Sequence, residues 1–341
     1  MTQQAPPPDA ATASPEPEGE AAAPATPGRG PLERLRDPSF WANWAVVVAL
    51  VVLVVVFGTL SDVFLTAGNI DAILVASAIL IVVTVGQTYV IVTSGIDLSI
   101  GSMVTLASVV LGYAFANAWG IAAAVGIGLL AGLLAGLING IIIAKGKITD
   151  FVVTLGMLSV ASGAALVLSD GRPVQVQTRF LLDLAAGSIG PLRYMIVVAI
   201  VVAGIAHVAL FHMRFGTHLL ATGGSAEVAR AMGVNVARMK IAAYTISGFL
   251  AGIAGVMLTA RVGAAEPVAA VALLLSSVAA VVLGGVSLFG GRGTVVGPVV
   301  GAVLLTALVN GLTLLGVSQF YQPIAVGSVV ILSALLTRWQ T

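Results

Sequence analysis

Ile121-Ala-Ala-Ala-Val-Gly-Ile-Gly-Leu-Leu-Ala-Gly-Leu-Leu-Ala-Gly-Leu-Ile-Asn-Gly-Ile-Ile-Ile-Ala144 carries no charge and a single polar side chain, Asn139. Roughly 20 apolar residues is the length a helix needs to cross the hydrocarbon core of a bilayer. Within the stretch, Gly128, Gly132, Gly136 and Gly140 recur every fourth residue. Small residues at that spacing let helix backbones approach closely in lipid. The same spacing returns at Gly248 and Gly252 and at Gly297 and Gly301. These glycines read as packing seams of a compact helical bundle, not as a site.

Comparable runs fill most of the chain to either side. Apolar residues make up 59 % of the 341 positions and charged residues 9 %, with a mean hydropathy of +1.10. Soluble domains are about a quarter charged, so a soluble helical protein of this size would need far more charge. The runs predict an all-α integral membrane protein of about ten transmembrane helices. The spans fall near 41–60, 70–93, 100–118, 120–144, 150–169, 191–211, 239–260, 270–286, 294–315 and 321–338. Asn117-Ala-Trp-Gly120 makes a very tight connection. The eighth span is short and abuts Gly284-Gly285, so it need not cross fully.

With the N-terminus inside, 11 of the 15 Lys and Arg fall on the cytoplasmic side and 4 (Arg172, Arg179, Arg193 and Arg261) outside. The positive-inside rule favours that orientation, with both termini cytoplasmic. Residues 1–38 hold nine of the fourteen prolines among alanines and acidic residues. Such a stretch cannot bury a core and is expected to be a disordered cytoplasmic tail. The remainder, 39–341, forms the membrane domain, with a long cytoplasmic loop at about 212–238. No secretory signal is visible, since the first apolar run begins only at Trp41.

The composition excludes several kinds of chemistry. There is no cysteine, hence no disulfide, thiolate metal site or cysteine nucleophile. A net charge of +1 argues against nucleic acid as a partner. No paired-histidine metal motif or nucleophile elbow occurs. His207, His212 and His218 sit together near the inner end of the sixth span and read as interface histidines. Gly291-Arg-Gly-Thr-Val-Val-Gly297 lacks the Gly-Lys-Ser/Thr of a P-loop. The chain is therefore read as a non-enzyme with no cofactor, metal or ATP site of its own.

Polar residues inside the spans are few. Gln87, Thr88, Tyr89, Asn139, Thr154, Ser159 and Asn310 could line a path for a neutral polar solute, but are too few and too uncharged for a proton relay or ion filter. Asp97 lies in Ser94-Gly-Ile-Asp-Leu-Ser-Ile-Gly-Ser102. A carboxylate at bilayer depth costs a few kcal/mol or more unless paired or hydrated. Gly95 and Gly101 permit a helix break, and Ser94, Ser99 and Ser102 can satisfy the freed backbone. Two readings stand: a discontinuous helix lining a path, or a cytoplasmic turn with Asp97 as N-cap of the third span. Asp150 reads as a helix-cap residue, and Asp71 sits at the outer start of the second span. Thr93–Gly101 can also be laid on Leu283–Gly291, matching Gly95, Leu98 and Gly101 to Gly285, Leu288 and Gly291. Transporters often carry broken helices at corresponding positions of internal repeats, which makes Gly284, Gly285, Gly290 and Gly291 broken-helix candidates. Glu227-Val-Ala-Arg-Ala-Met-Gly233 is a polar island between spans, on the inside loop, and reads as a segment gripped by a partner.

Four segments carry a resemblance to a known family: Ser94–Ser102, Asn139-Gly-Ile-Ile-Ile-Ala-Lys-Gly-Lys147, Ala279–Gly291 and Asn310-Gly-Leu-Thr-Leu-Leu-Gly-Val317. They closely resemble the ribose-type (monosaccharide) permeases of ABC transporters, in the wider group that includes branched-chain amino-acid permeases. The resemblance runs from about residue 41 to the C-terminus. It implies an inner (plasma) membrane multi-pass permease paired with a second permease subunit, two cytoplasmic ABC ATPase subunits and an extracytoplasmic solute-binding protein. Gly223–Val236 resembles the family's cytoplasmic loop that docks into the ATPase. Glu227, Ala229 and Gly233 fall on its Glu-Ala-Ala-x-x-x-Gly pattern, Val228 replaces the first alanine, and Arg230 lies within it. A path near Gly95, Asp97, Ser99, Gly101, Asn139 and Asn310 is expected to carry a monosaccharide. Leu273-Leu-Leu-Ser-Ser277 departs from the acidic, polar stretch that the family has there, which leaves the solute less determined. Other solutes compatible with the resemblance are a nucleoside, a branched-chain amino acid or a signalling furanone. An ion-coupled secondary transporter is the reading from another class.

Overall fold

The computed structural model describes residues 38–268 and 271–338. The expected disordered tail, 1–38, lies outside these apart from Pro38, which opens the first helix. The described elements are α1 (Pro38–Leu60), α2 (Ala67–Ile91), α3 (Ile100–Ala116), α4 (Ile121–Gly146), α5 (Asp150–Ser169), β1 (Val174–Gln175), α6 (Arg179–Ala186), β2 (Ser188–Ile189), β3 (Leu192–Arg193), α7 (Tyr194–Phe211), α8 (Arg214–Gly224), α9 (Ala226–Ala231), α10 (Val236–Val262), β4 (Ala264–Ala265), α11 (Val271–Leu283), α12 (Val296–Leu314) and α13 (Gln322–Arg338).

An apolar helix stands at each of the ten expected positions, shifted by a few residues at its ends. Six of them, α2, α4, α5, α7, α10 and α12, are long and apolar enough to cross a membrane. The described apolar parts of the others are shorter. The 13 residues of α11 rise about 20 Å, against about 30 Å of hydrocarbon. The bundle is helical throughout, apart from two ladders of two-residue strands. These pair β1 with β4 and β2 with β3, both antiparallel.

Every residue of α2 from Ser77 to Ile91 is buried, which makes α2 the axis of the bundle. A helix buried all round needs no polar face. The outer helices do the reverse: Val160 and Val167 on α5 and Ile205 on α7 stand at 65 %, 78 % and 65 % exposure. An apolar exterior of this kind is a lipid-facing surface.

The glycine ladders lie where backbones meet. A Cβ on Gly136 would overlap the Tyr244 carbonyl, and one on Gly248 would overlap the Gly132 carbonyl, so α4 and α10 touch main chain to main chain. Gly301 of α12 faces the Ala280 carbonyl of α11 in the same way, where an added Cβ would stand 2.5 Å from the oxygen.

Connecting segments gather at two ends. At one end the α2–α3 segment bonds to the start of α5 (Ile96 N–H to Asp150 Oδ2, 3.2 Å), to the end of α8 and to the α11–α12 loop. At the other, β1 pairs with β4, Asp71 meets Arg193 and Asn69 meets Asn310. The first set are the loops read as inside, the second those read as outside.

Candidate functional site

The 212–238 loop folds into two short helices. Ser225 caps α9, its Oγ accepting from the Val228 N–H at 3.3 Å. Gly233 stops it. Its N–H donates to the Arg230 carbonyl and the Val234 N–H donates to the Ala229 carbonyl, both at 2.9 Å. This pair of bonds is the Schellman stop, which places a left-handed residue just past the helix. Gly233 has φ +83°, so the glycine of the pattern is there for backbone geometry. Asn235 then caps α10 by accepting from the Arg238 N–H at 3.0 Å.

Glu227, Arg230 and Gly233 are exposed, while Ala229 is buried at 3 % exposure. The four residues therefore divide: Ala229 seats the helix on the bundle, and Glu227 and Arg230 face outward. Val228 and Met232 stand out at 61 % and 79 % exposure. Beside this helix a groove of about 590 Å³ opens between α9 and the α4–α5 turn, lined among others by Lys147, Asp150, Arg230 and Lys240.

Asp97 is fully buried in the non-helical stretch between α2 and α3. Its Oδ1 accepts from the Ser99 N–H at 2.9 Å and from Ser99 Oγ at 2.6 Å. Its Oδ2 accepts from Ser247 Oγ at 3.0 Å. Ser99 Oγ in turn accepts from Asn139 Nδ2 at 2.9 Å. One hydrogen-bonded chain thus joins α4, the break and α10. Among the described residues no Lys or Arg pairs with Asp97; hydroxyl and amide donors solvate the carboxylate instead. The N-cap of α3 is Ser99, with Asp97 two residues ahead of it. Asp97 is therefore not the N-cap expected of it; its Oδ1 closes a turn two residues ahead of the helix by accepting from the Ser99 N–H.

The two overlaid segments touch. The Gly291 N–H donates to the Val92 carbonyl at 3.0 Å. Ser94 Oγ lies 2.5 Å from the Phe289 carbonyl and 2.8 Å from that of Gly223. Both helices before the breaks end in the same stop. For α2 the Ser94 and Gly95 N–H groups bond to Ile91 and Val90; for α11 the Gly285 and Val286 N–H groups bond to Val282 and Val281. The left-handed residues are Ser94 (φ +59°) and Gly285 (φ +78°). The equivalence runs Ser94 to Gly285, one residue off the overlay read from sequence. Gly284 packs against the start of α12, where a Cβ would overlap Pro298.

Asn310 does not join the Asp97 cluster. It makes a reciprocal amide pair with Asn69, at 3.0 and 2.9 Å. Gln87 is fully buried, and among the described residues neither of its amide atoms has a partner; the same holds for Asn139 Oδ1. Thr154 bonds locally to Asp150. Among the described residues no cluster of His, Cys, Asp and Glu could hold a metal, and the His207 ring packs on Phe211. Sequence reasoning missed Ser247 and Asn69. Their only signal was a polar side chain on an apolar helix. It also placed Asp71 and Arg193 on the same side without pairing them.

The family model described as branched-chain amino acid transport system / permease component matches residues 69–336. A ribose import permease protein of Escherichia coli is 38 % identical over 294 residues, covering 85 % of this chain and 91 % of the relative. A D-allose transport system permease protein of the same organism is 33 % identical, covering 88 % and 92 %. An L-arabinose ABC transporter permease protein of Azospirillum brasilense is 34 % identical, covering 85 % and 87 %. No solved structure matches the chain.

Proposed function

The chain belongs to the family of branched-chain amino acid transport system permease components, and on that premise we propose that it is the transmembrane permease subunit of an ATP-binding-cassette importer for a monosaccharide, a ribose- or xylose-like sugar. The single observation that carries this reading is the likeness to the ribose import permease along nine-tenths of the relative's length. The relatives named for allose and arabinose support a sugar over the amino acid of the family's description.

In this reading two such permeases, or one with a different partner permease, sit in the inner membrane. Two cytoplasmic ATPase subunits grip α9 through Glu227 and Arg230, and an extracytoplasmic binding protein delivers the solute. The gathering of loops at two ends supports ten crossings, with both termini cytoplasmic. ATP closure moves α9, and the bundle alternates between outward- and inward-open states, a two-state element biased from a distant site. The path runs past Gln87, Asn139 and the Asp97 break, and the free amide atoms of Gln87 and Asn139 are available to a sugar hydroxyl.

Vesicles holding the permease with its ATPases and binding protein test this. Radiolabelled ribose should enter in an ATP-dependent way and leucine should not. Leucine uptake in place of ribose would favour the amino-acid reading, and ribose flux without the ATPases would contradict the importer.

A further inference from the structure

Ser94 stands at a position that glycine fills most easily. A non-glycine residue in the left-handed region carries strain, which persists where its surroundings hold it there. At the equivalent stop, α11 uses Gly285. What Ser94 has and glycine lacks is a hydroxyl, and that hydroxyl faces two carbonyls from two different segments. Gly223 closes α8, just ahead of the proposed docking helix, and Phe289 belongs to the α11–α12 loop. One hydroxyl has one proton, so it is shared between the two.

Around it the main chains are in direct contact. A Cβ on Gly223 would overlap the Val92 carbonyl, one on Gly290 would overlap Ser94, and one on Gly291 would come within 2.6 Å of Gly224 Cα. The Gly291 N–H to Val92 carbonyl bond completes the junction. Three elements meet there, with only the Ser94 side chain between them: the end of α2, the loop between α11 and α12, and the end of α8, just ahead of α9.

We propose that Ser94, with Gly223, Gly290 and Gly291, is a transmission junction. It carries movement of the docking helix to both broken segments at once, and Ser94 is the positioning residue that ties them. The inference rests on the reading of 226–233 as the docking segment. A displacement at α9 reaches Val92 and Phe289 through the adjoining end of α8, since close-packed backbone transmits strain rather than absorbing it. The break beside Asp97 and the loop after α11 therefore move together.

The chain has no native cysteine, so the purified permease takes nitroxide labels only at Leu288→Cys and Lys145→Cys, before its ATPase subunits are added. In the complex with its ATPase subunits, ATP binding should change the distance between these labels. Ser94→Gly keeps the helix stop and removes the hydroxymethyl group, and with it the hydroxyl that ties the two carbonyls; Gly223→Ala wedges the junction apart. Both should lose the ATP-driven distance change while the ATPases still co-purify. Should Gly223→Ala fail to insert, Ser94→Gly decides alone. A full distance change in Ser94→Gly, no change in the doubly labelled parent, or loss of the ATPases from Ser94→Gly would each overturn the proposal. Failure of the docking reading shows elsewhere, as ATPases retained by Glu227→Arg.

Discussion

Ser247 of α10 donates its hydroxyl to Asp97 Oδ2 at 3.0 Å, across 150 positions of sequence. That bond closes a buried chain running from Asn139 through Ser99 to Asp97, and it fixes a helix break in place without a cation. Removing a partner from a buried carboxylate leaves desolvated charge behind. Ser247→Ala should therefore lower the unfolding free energy by about 1–3 kcal/mol. Asp97→Asn should do the same, since its amide would turn an N–H toward a donor. Thermal unfolding in detergent measures both, and wild-type midpoints would show that the chain carries no stability.

Asn69 and Asn310 test a second polar contact, of a different kind. Each amide both gives and receives, so either alanine variant strands the other residue. The double variant should cost less than the sum of the singles. Membrane hydrogen bonds average about 0.6 kcal/mol, so two bonds predict a coupling energy of about 1 kcal/mol. A double-mutant cycle on unfolding reads it, and strict additivity would rule the pair out as an energetic unit.

The seam between α4 and α10 predicts a contrast between two glycines of one helix. Gly136 faces the Tyr244 carbonyl, whereas an added Cβ on Gly126 meets nothing within 4 Å. Gly136→Val should cost about 1–3 kcal/mol or prevent folding. Gly126→Ala should stay within about 0.5 kcal/mol of the parent. Equal tolerance at both positions would contradict the close approach.

Much of this was legible in the sequence. Ten apolar runs gave ten helices, and the glycine spacing gave the seam. Of the residues read as permitting a helix break or a turn, Gly95 and Asp97 lie in the non-helical stretch between α2 and α3, and Gly101 lies inside α3. The contacts were not legible. A span that faces lipid on one side and protein on the other is apolar on both, so no period reveals which face packs. Asn310 pairs with Asn69, 241 positions away, and nothing in the local sequence of either residue points to the other. The overlay of the two breaks slipped by one residue because it matched glycines, whereas α2 stops on Ser94. Ala229 belonged to the docking pattern, yet only its burial separates a seating role from contact.

Orientation has its own test. Arg172→Cys and Lys145→Cys sit on opposite ends of the bundle, in a chain with no native cysteine. A membrane-impermeant maleimide applied to intact cells should label Arg172→Cys, and should reach Lys145→Cys only after permeabilisation. The reverse pattern would invert the topology.

In the proposed importer, α9 and its stop residue hold the ATPase. Glu227 is exposed on that helix, and Gly233 has φ +83°, which proline cannot adopt. The direct measurement is ATPase retention when the permease is affinity-purified from membranes. Glu227→Arg and Gly233→Pro should insert normally and lose the ATPase subunits. Variants that keep them at the wild-type ratio would show that α9 does not hold the ATPase.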